Sequence, residues 1–230
     1  GEVEYPGSRS TPTVDDRYVF TVGPFGDIHC IDRKTHKVVW KKHLLDDFSG
    51  RLPTWAVAQS PLIYKDKVIV APQAGETCVV AYDKATGNIA WKSPYVGSLR
   101  NYTSPTLEKV AGADHIIQVT GAASRRRRRG CAVAGFDPET GKLLWKYEGW
   151  QCSIPVANVT AVGEDRFFVT GGYRSGCAMF KVERSSEKFK TTEIFANDNC
   201  GAQLHVAVLH EGYLYANSND NTRRDGCCRC

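Results

Sequence analysis

The sequence predicts an all-β fold assembled from repeated four-stranded units. Three observations predict it. An Asp-Thr-Trp pattern returns three times, runs of β-branched and aromatic residues alternate with turn-prone clusters, and a proline stands at a similar place ahead of each unit.

The pattern is Asp32, Thr35, Trp40; then Asp83, Thr86, Trp91; then Asp137, Thr140, Trp145. The Trp residues lie 51 and 54 positions apart, and each is followed by a lysine. Such an Asp accepts hydrogen bonds from backbone groups two residues on and so starts a turn. Gly87 and Gly141 supply the positive φ of the hairpin tip, where the first copy has His36. The Trp that follows is a large apolar plate for packing against a neighbouring unit. Upstream stand Pro12, Pro61 and Pro105, each after Ser or Thr, with Pro155 continuing the series.

Strands are expected over 17–22, 68–70, 115–120 and 166–170, each after a turn-prone cluster. A second strand, the Asp-x-x-Thr turn and a last strand ending in Trp complete each unit. Four short strands in roughly 45–50 residues is the size of a propeller blade. The fourth unit is degenerate. Glu183 and Ser186 are read at the Asp and Thr places, with Ile194–Phe195 as the anchor in place of Trp. A fifth begins at 205–215 and stops short. Blades are therefore expected at about 9–45, 58–95, 102–148, 153–196 and, in part, 204–230, in an all-β propeller with an incomplete ring.

These motifs resemble the tryptophan docking motif of quinoprotein-like β-propellers, over about residues 9 to 226. The repeat occurs in pyrroloquinoline-quinone (PQQ) dehydrogenases and in non-catalytic relatives such as the lipoprotein scaffold of the outer-membrane β-barrel assembly machinery. The resemblance implies that Trp40, Trp91 and Trp145 pack between blades. It also implies a bacterial, exported protein, periplasmic or extracellular, although residues 1–10 carry no signal-peptide pattern. Such propellers close with more blades, so open edges here favour self-association or a protein partner.

Composition excludes other classes. The chain has 230 residues, 42% hydrophobic and 24% charged, the profile of an ordinary globular protein. No run approaches the roughly 18 apolar residues of a transmembrane segment. The net charge of +5 equals the five consecutive residues Arg125, Arg126, Arg127, Arg128 and Arg129. Without them the chain is neutral, which argues against a broad nucleic-acid surface. The run lengthens its unit and reads as a solvated hairpin tip, with contact to an acidic polysaccharide or anionic surface as the sharper alternative.

Catalytic signals are sparse. Nucleophile elbows, phosphate loops, a paired set of two Cys-x-x-Cys motifs and a Cys-x-x-Cys-His haem site are absent from the sequence. No metal site and no catalytic residue are expected. In the PQQ dehydrogenases a vicinal cysteine ring covers the quinone beside calcium. The resemblance makes Cys227 and Cys228 the candidate cofactor contacts, PQQ with calcium being expected only in a complete propeller. Nine cysteines leave their pairing open. The long connection 44–55, with Asp46, Asp47, Arg51 and Trp55, reads as a packed linker or as a ligand-facing loop. Asn101 and Asn158 open glycosylation-type triplets.

The leading function is a non-catalytic repeat scaffold for protein–protein interaction. The alternatives are a fragment of a PQQ-dependent alcohol or sugar dehydrogenase, and a polyanion-binding module.

Overall fold

The computed structural model describes residues 7–72, 74–97, 101–121, 130–186, 188–219 and 225–229, with Asn219 and the last run as backbone alone. Among the described residues there are strands and turns but no helix. The first sheet holds β1 (Thr13–Val14), β2 (Tyr18–Val22), β3 (Asp27–Asp32) and β4 (Val38–His43). The second holds β5 (Leu62–Tyr64), β6 (Lys67–Val70), β7 (Val80–Asp83) and β8 (Ile89–Lys92). The third holds β9 (Thr106–Val110), β10 (Ala113–Thr120), β11 (Ala132–Phe136) and β12 (Leu143–Tyr147). The fourth holds β13 (Thr160–Gly163), β14 (Arg166–Thr170), β15 (Cys177–Ser185) and β16 (Lys188–Asn197). A fifth, three-stranded sheet holds β17 (Val208–His210), β18 (Tyr213–Asn219) and β19 (Asp225–Arg229). Every sheet is a meander, as short turns between sequential antiparallel strands require.

The four complete sheets share one irregularity. Their registers shift just after the pairs Cys30↔Trp40, Ala81↔Trp91, Gly135↔Trp145 and Met179↔Phe195. Each shift leaves Val39, Ala90, Leu144 or Ile194 as an extra residue ahead of the aromatic. A bulge bends its strand and re-aims the next side chain. Phe195 is therefore the register counterpart of the tryptophans, and Ile194 is the exposed bulge residue.

The same register corrects the reading of the fourth turn. Lys181, opposite Arg166, takes the place that Asp32 takes opposite Tyr18. Glu183 instead pairs with Lys190 inside a hairpin that runs on to Ser185↔Lys188. Without the Asp that closes the turn early, the strands continue.

The chain divides into two compact units: Gly1–Tyr95 with Ser104–Thr106 and Pro138–Lys142, and Val96–Thr103, Leu107–Asp137 with Leu143–Cys230. In the first, Tyr18, Phe20, Val22 and Trp40 bury against Val68, Val70, Val80 and Tyr82. Phe20, Trp40 and Tyr82 form a chain of rings with centroids 5.9 Å apart at each step. In the second, Trp145, Tyr147, Phe167 and Phe180 centre one cluster, and Phe168, Leu214 and Ala216 with Phe195 form another. Burial of large aromatic surface is the main driving force in both.

Candidate functional site

The chemistry of the repeats is concentrated in the docking turns. Asp32 Oδ1 accepts from the N–H of Lys34 at 3.0 Å, the N–H of Thr35 at 2.8 Å and Thr35 Oγ1 at 3.0 Å. Asp83 repeats this with Ala85 at 3.1 Å and with both Thr86 donors at 2.8 Å. These bonds stabilise the anion, so the backbone and hydroxyl of Thr35 hold the Asp32 carboxyl below its ordinary value. The hydroxyl and N–H of Thr86 act in the same way on Asp83.

The second and third turns each receive an indole. Trp40 Nε1 donates to the Lys84 carbonyl at 2.8 Å, and Trp91 Nε1 donates to the Pro138 carbonyl at 3.1 Å. The ring meets the tip glycine: a Cβ on Gly87 would lie 2.7 Å from Trp40 Cδ2, and one on Gly141 2.4 Å from Trp91 Cε3. Both glycines also have positive φ, at 71° and 72°. The first turn precedes every Trp in the repeat series. Its tip, His36 at φ 59°, is exposed and carries a side chain. The docked indole therefore accounts for a second requirement for glycine, beyond its φ.

Lys84 adds an ion pair. Its ammonium lies 2.6 Å from Asp15 Oδ2, and both side chains are mostly buried. Asp15 Oδ1 also accepts from the N–H groups of Arg17 at 2.9 Å and Tyr18 at 2.7 Å. Desolvation pushes the Asp15 carboxyl upward, but these bonds outweigh it and its value is lowered.

A second device went unread in the sequence, although the Ser-Pro dipeptides signalled it. The N–H of Thr11 donates to Ser60 Oγ at 2.9 Å, and the N–H of Ser60 donates to Ser104 Oγ at 2.9 Å. Residues before proline are held extended, and the proline itself lacks a donor. The preceding hydroxyls thus form a ladder between units. Ile154, before Pro155, has no hydroxyl with which to extend it.

The third Trp departs from the pattern. Trp145 Nε1 donates to Nδ1 of the buried His115 at 2.9 Å, within its own sheet. The lengthened fourth hairpin packs Phe189 edge-on against that imidazole, with centroids 4.7 Å apart. Thr191 Oγ1 donates to the Lys146 carbonyl at 3.0 Å, and the Tyr147 hydroxyl to Glu193 at 2.7 Å. Hairpin contacts thus stand where a docking turn stood.

The remaining candidates are not brought together. The side chains of Cys227 and Cys228 and the whole run Arg125–Arg129 lie outside the described residues. The backbones of Cys227 and Cys228 pair with Asn217 and Ala216 on β18. Among the described residues, no three of His, Cys, Asp and Glu converge as metal ligands. The connection 44–55 is packed: Leu44, Leu45 and Phe48 are buried, and Lys92 lies over the Phe48 ring at 5.2 Å. Asp46 and Asp47 bond around His43, where the Asp46 N–H donates to Nδ1 at 3.2 Å and the His43 N–H donates to Asp47 at 3.0 Å. Asn101 is buried, unlike an exposed glycosylation acceptor.

Four-stranded meander sheets with interblade tryptophans define a quinoprotein-like β-propeller protein. The chain belongs to the family described as outer membrane protein assembly factor BamB, which matches residues 3–222. BamB from Moraxella catarrhalis is similar in structure, with a TM-score of 0.58 and 19% identity over 96% of this chain and 59% of that one. Quinohemoprotein alcohol dehydrogenase from Comamonas testosteroni gives a TM-score of 0.60 and 16% identity over 91% of this chain and 40% of that one. In sequence, quinohemoprotein alcohol dehydrogenase ADH-IIG of Pseudomonas putida is 29% identical over 144 residues, 61% of this chain. The quinoprotein ethanol dehydrogenase of Pseudomonas aeruginosa is 26% identical over 149 residues. The matches cover 19% and 23% of those two dehydrogenases.

Proposed function

We propose that the chain is a non-catalytic propeller scaffold of the cell envelope, engaging protein through the outward face of its fifth sheet. One comparison carries this reading. Phe20, Ile69, Ile117 and Phe168 stand at one register place in the second strand of their sheets, and all are 0–1% exposed. Tyr215 pairs with Val208 as Phe168 pairs with Thr160, yet it is 42% exposed. Val206, Val208 and Tyr213 beside it in sequence or register are exposed too. Contiguous exposed apolar residues mark interaction surfaces.

The test is the mass of the purified chain by light scattering across concentration, alone and with candidate envelope proteins. Association is expected, and Tyr215→Glu is expected to weaken it at least tenfold. A wild-type chain that stays monomeric and binds none of them sinks the proposal, as does association that ignores the substitution.

The sequence matches to alcohol dehydrogenases support a second reading, a portion of a PQQ-dependent dehydrogenase. Titration with PQQ and calcium separates the two. A saturable change in the quinone absorbance favours the dehydrogenase; an unchanged spectrum favours the scaffold.

A further inference from the structure

Cys131 and Cys152 are both fully buried in the core cluster of the third and fourth sheets. They lie at the two ends of the β11–β12 hairpin, where Val133 pairs with Tyr147 and the chain then curls back. Gln151 Nε2 donates to the Cys131 carbonyl at 3.5 Å, and the backbone N–H of Cys152 donates to the Cys131 sulfur. A Cβ on Gly171 would lie 2.7 Å from Cys152 Sγ and 2.9 Å from the Trp150 ring, so the Cys152 side chain is confined on that side. An N–H that reaches the partner's sulfur brings the two backbones to a separation on the order of the 4–7 Å between the Cα atoms of bridged cysteines.

Other buried cysteines face different groups. Cys30 Sγ donates to the Lys84 carbonyl at 3.5 Å, Cys177 Sγ meets Asn197 Oδ1 at 3.3 Å, and Cys200 Sγ accepts from Thr170 Oγ1 at 3.8 Å.

We infer that Cys131 and Cys152 are a disulfide pair, closed during folding by exchange with an external disulfide, which ties β11 to the connection after β12. One protein thiolate attacks the external disulfide, here oxidised glutathione, and expels one glutathione thiolate. The second cysteine attacks the protein sulfur of the mixed disulfide and expels the other. Two protein S–H bonds are replaced by one S–S bond, and the two protons and two electrons end on two glutathione thiols. Burial raises the Cys131 thiol, so the folded chain offers little thiolate, and exchange belongs to the stage before this hairpin closes. The pairing does not depend on the scaffold reading.

The test is a peptide map. The full chain is refolded in a glutathione redox buffer, alkylated in denaturant without reductant, and digested with trypsin. Residues 130–142 contain Cys131 as their single cysteine, and residues 147–166 contain Cys152 alone. The expected result is one cross-linked species of these two peptides that separates on reduction. Recovery of both in alkylated form overturns the pairing, as does linkage of either to a different cysteine. Cys152→Ser, treated identically, is expected to leave Cys131 alkylated; Cys131 bridged elsewhere in that variant counts against the assignment.

Discussion

The backbone of Gly87 lies directly against the Trp40 indole, and a Cβ there would approach Cδ2 to 2.7 Å. Two penalties meet at this position, left-handed backbone at φ 71° and overpacking against a ring fixed by its bond to Lys84. Gly87→Ala is expected to lower stability by about 2–4 kcal/mol. His36→Gly, at a tip that projects into solvent, is expected to be neutral or to stabilise by up to about 1 kcal/mol. Urea denaturation of the two variants checks the pair. Equal effects would separate the glycine requirement from the docked indole.

The Ser-Pro ladder makes a separate demand. Ser60→Ala leaves the Thr11 N–H without its acceptor, and Ser104→Ala does the same to the Ser60 N–H. Ser104→Ala is expected to cost about 1–2 kcal/mol, the usual penalty for stranding a partly buried donor, and Ser60→Ala less, about 0.5–1 kcal/mol, because the Thr11 bond is exposed to water. Ser153→Ala, outside the ladder, is the matched control. Midpoints that shift no further than this control would show water replacing the hydroxyls.

Much of this was legible in the sequence, and the limits were physical. The Asp-x-x-Thr-Gly turns and the tryptophans were readable because each residue type has one local use: a carboxylate to close a turn, a glycine for positive φ, a ring for burial. The common bulge ahead of each aromatic was not readable, because an extra residue at that place has no compositional signature. Nor does composition show that Glu183 lies inside an extended hairpin, paired with Lys190, with the turn delayed to the tip at Ser186. His115 looked like one histidine among six. Its role depends on Trp145, thirty residues away, and on a hairpin from the next sheet.

The Asp15–Lys84 pair ties the ends of two repeats through mostly buried charges. Asp15 is also the acceptor that closes its own turn onto Arg17 and Tyr18. Asp15→Ala therefore strands two backbone donors and a desolvated ammonium, and is expected to cost about 3–5 kcal/mol. Lys84→Met keeps the alkyl packing and leaves the carboxylate its two N–H bonds, so its cost is expected to be smaller, about 1–2 kcal/mol. A double-mutant cycle read by denaturant midpoints checks the ordering, which a purely coulombic pair would not produce.

The bond from Trp145 to His115 fixes a protonation state. Nδ1 is the acceptor, so the imidazole is neutral with its proton on Nε2, which is buried and has no hydrogen-bond partner among the described residues. Burial lowers the His115 value from 6.5 to about 4, against smaller upward pulls from Asp137, Asp165 and Asp114 and a further downward one from Arg184. The unfolded chain thus takes up this proton near pH 6.5, and the folded chain only near pH 4. Acid within that window favours unfolding: the contribution is complete above pH 6.5 and is lost progressively as pH falls toward 4. Between pH 7 and pH 4.5 the expected loss from this residue is about 2 kcal/mol. His115→Gln presents an amide oxygen to the indole without titrating, so its stability should change less over the same range. Parallel urea curves at the two pH values measure the difference between the chains. Equal slopes would mean that His115 is protonated alike in the folded and unfolded states.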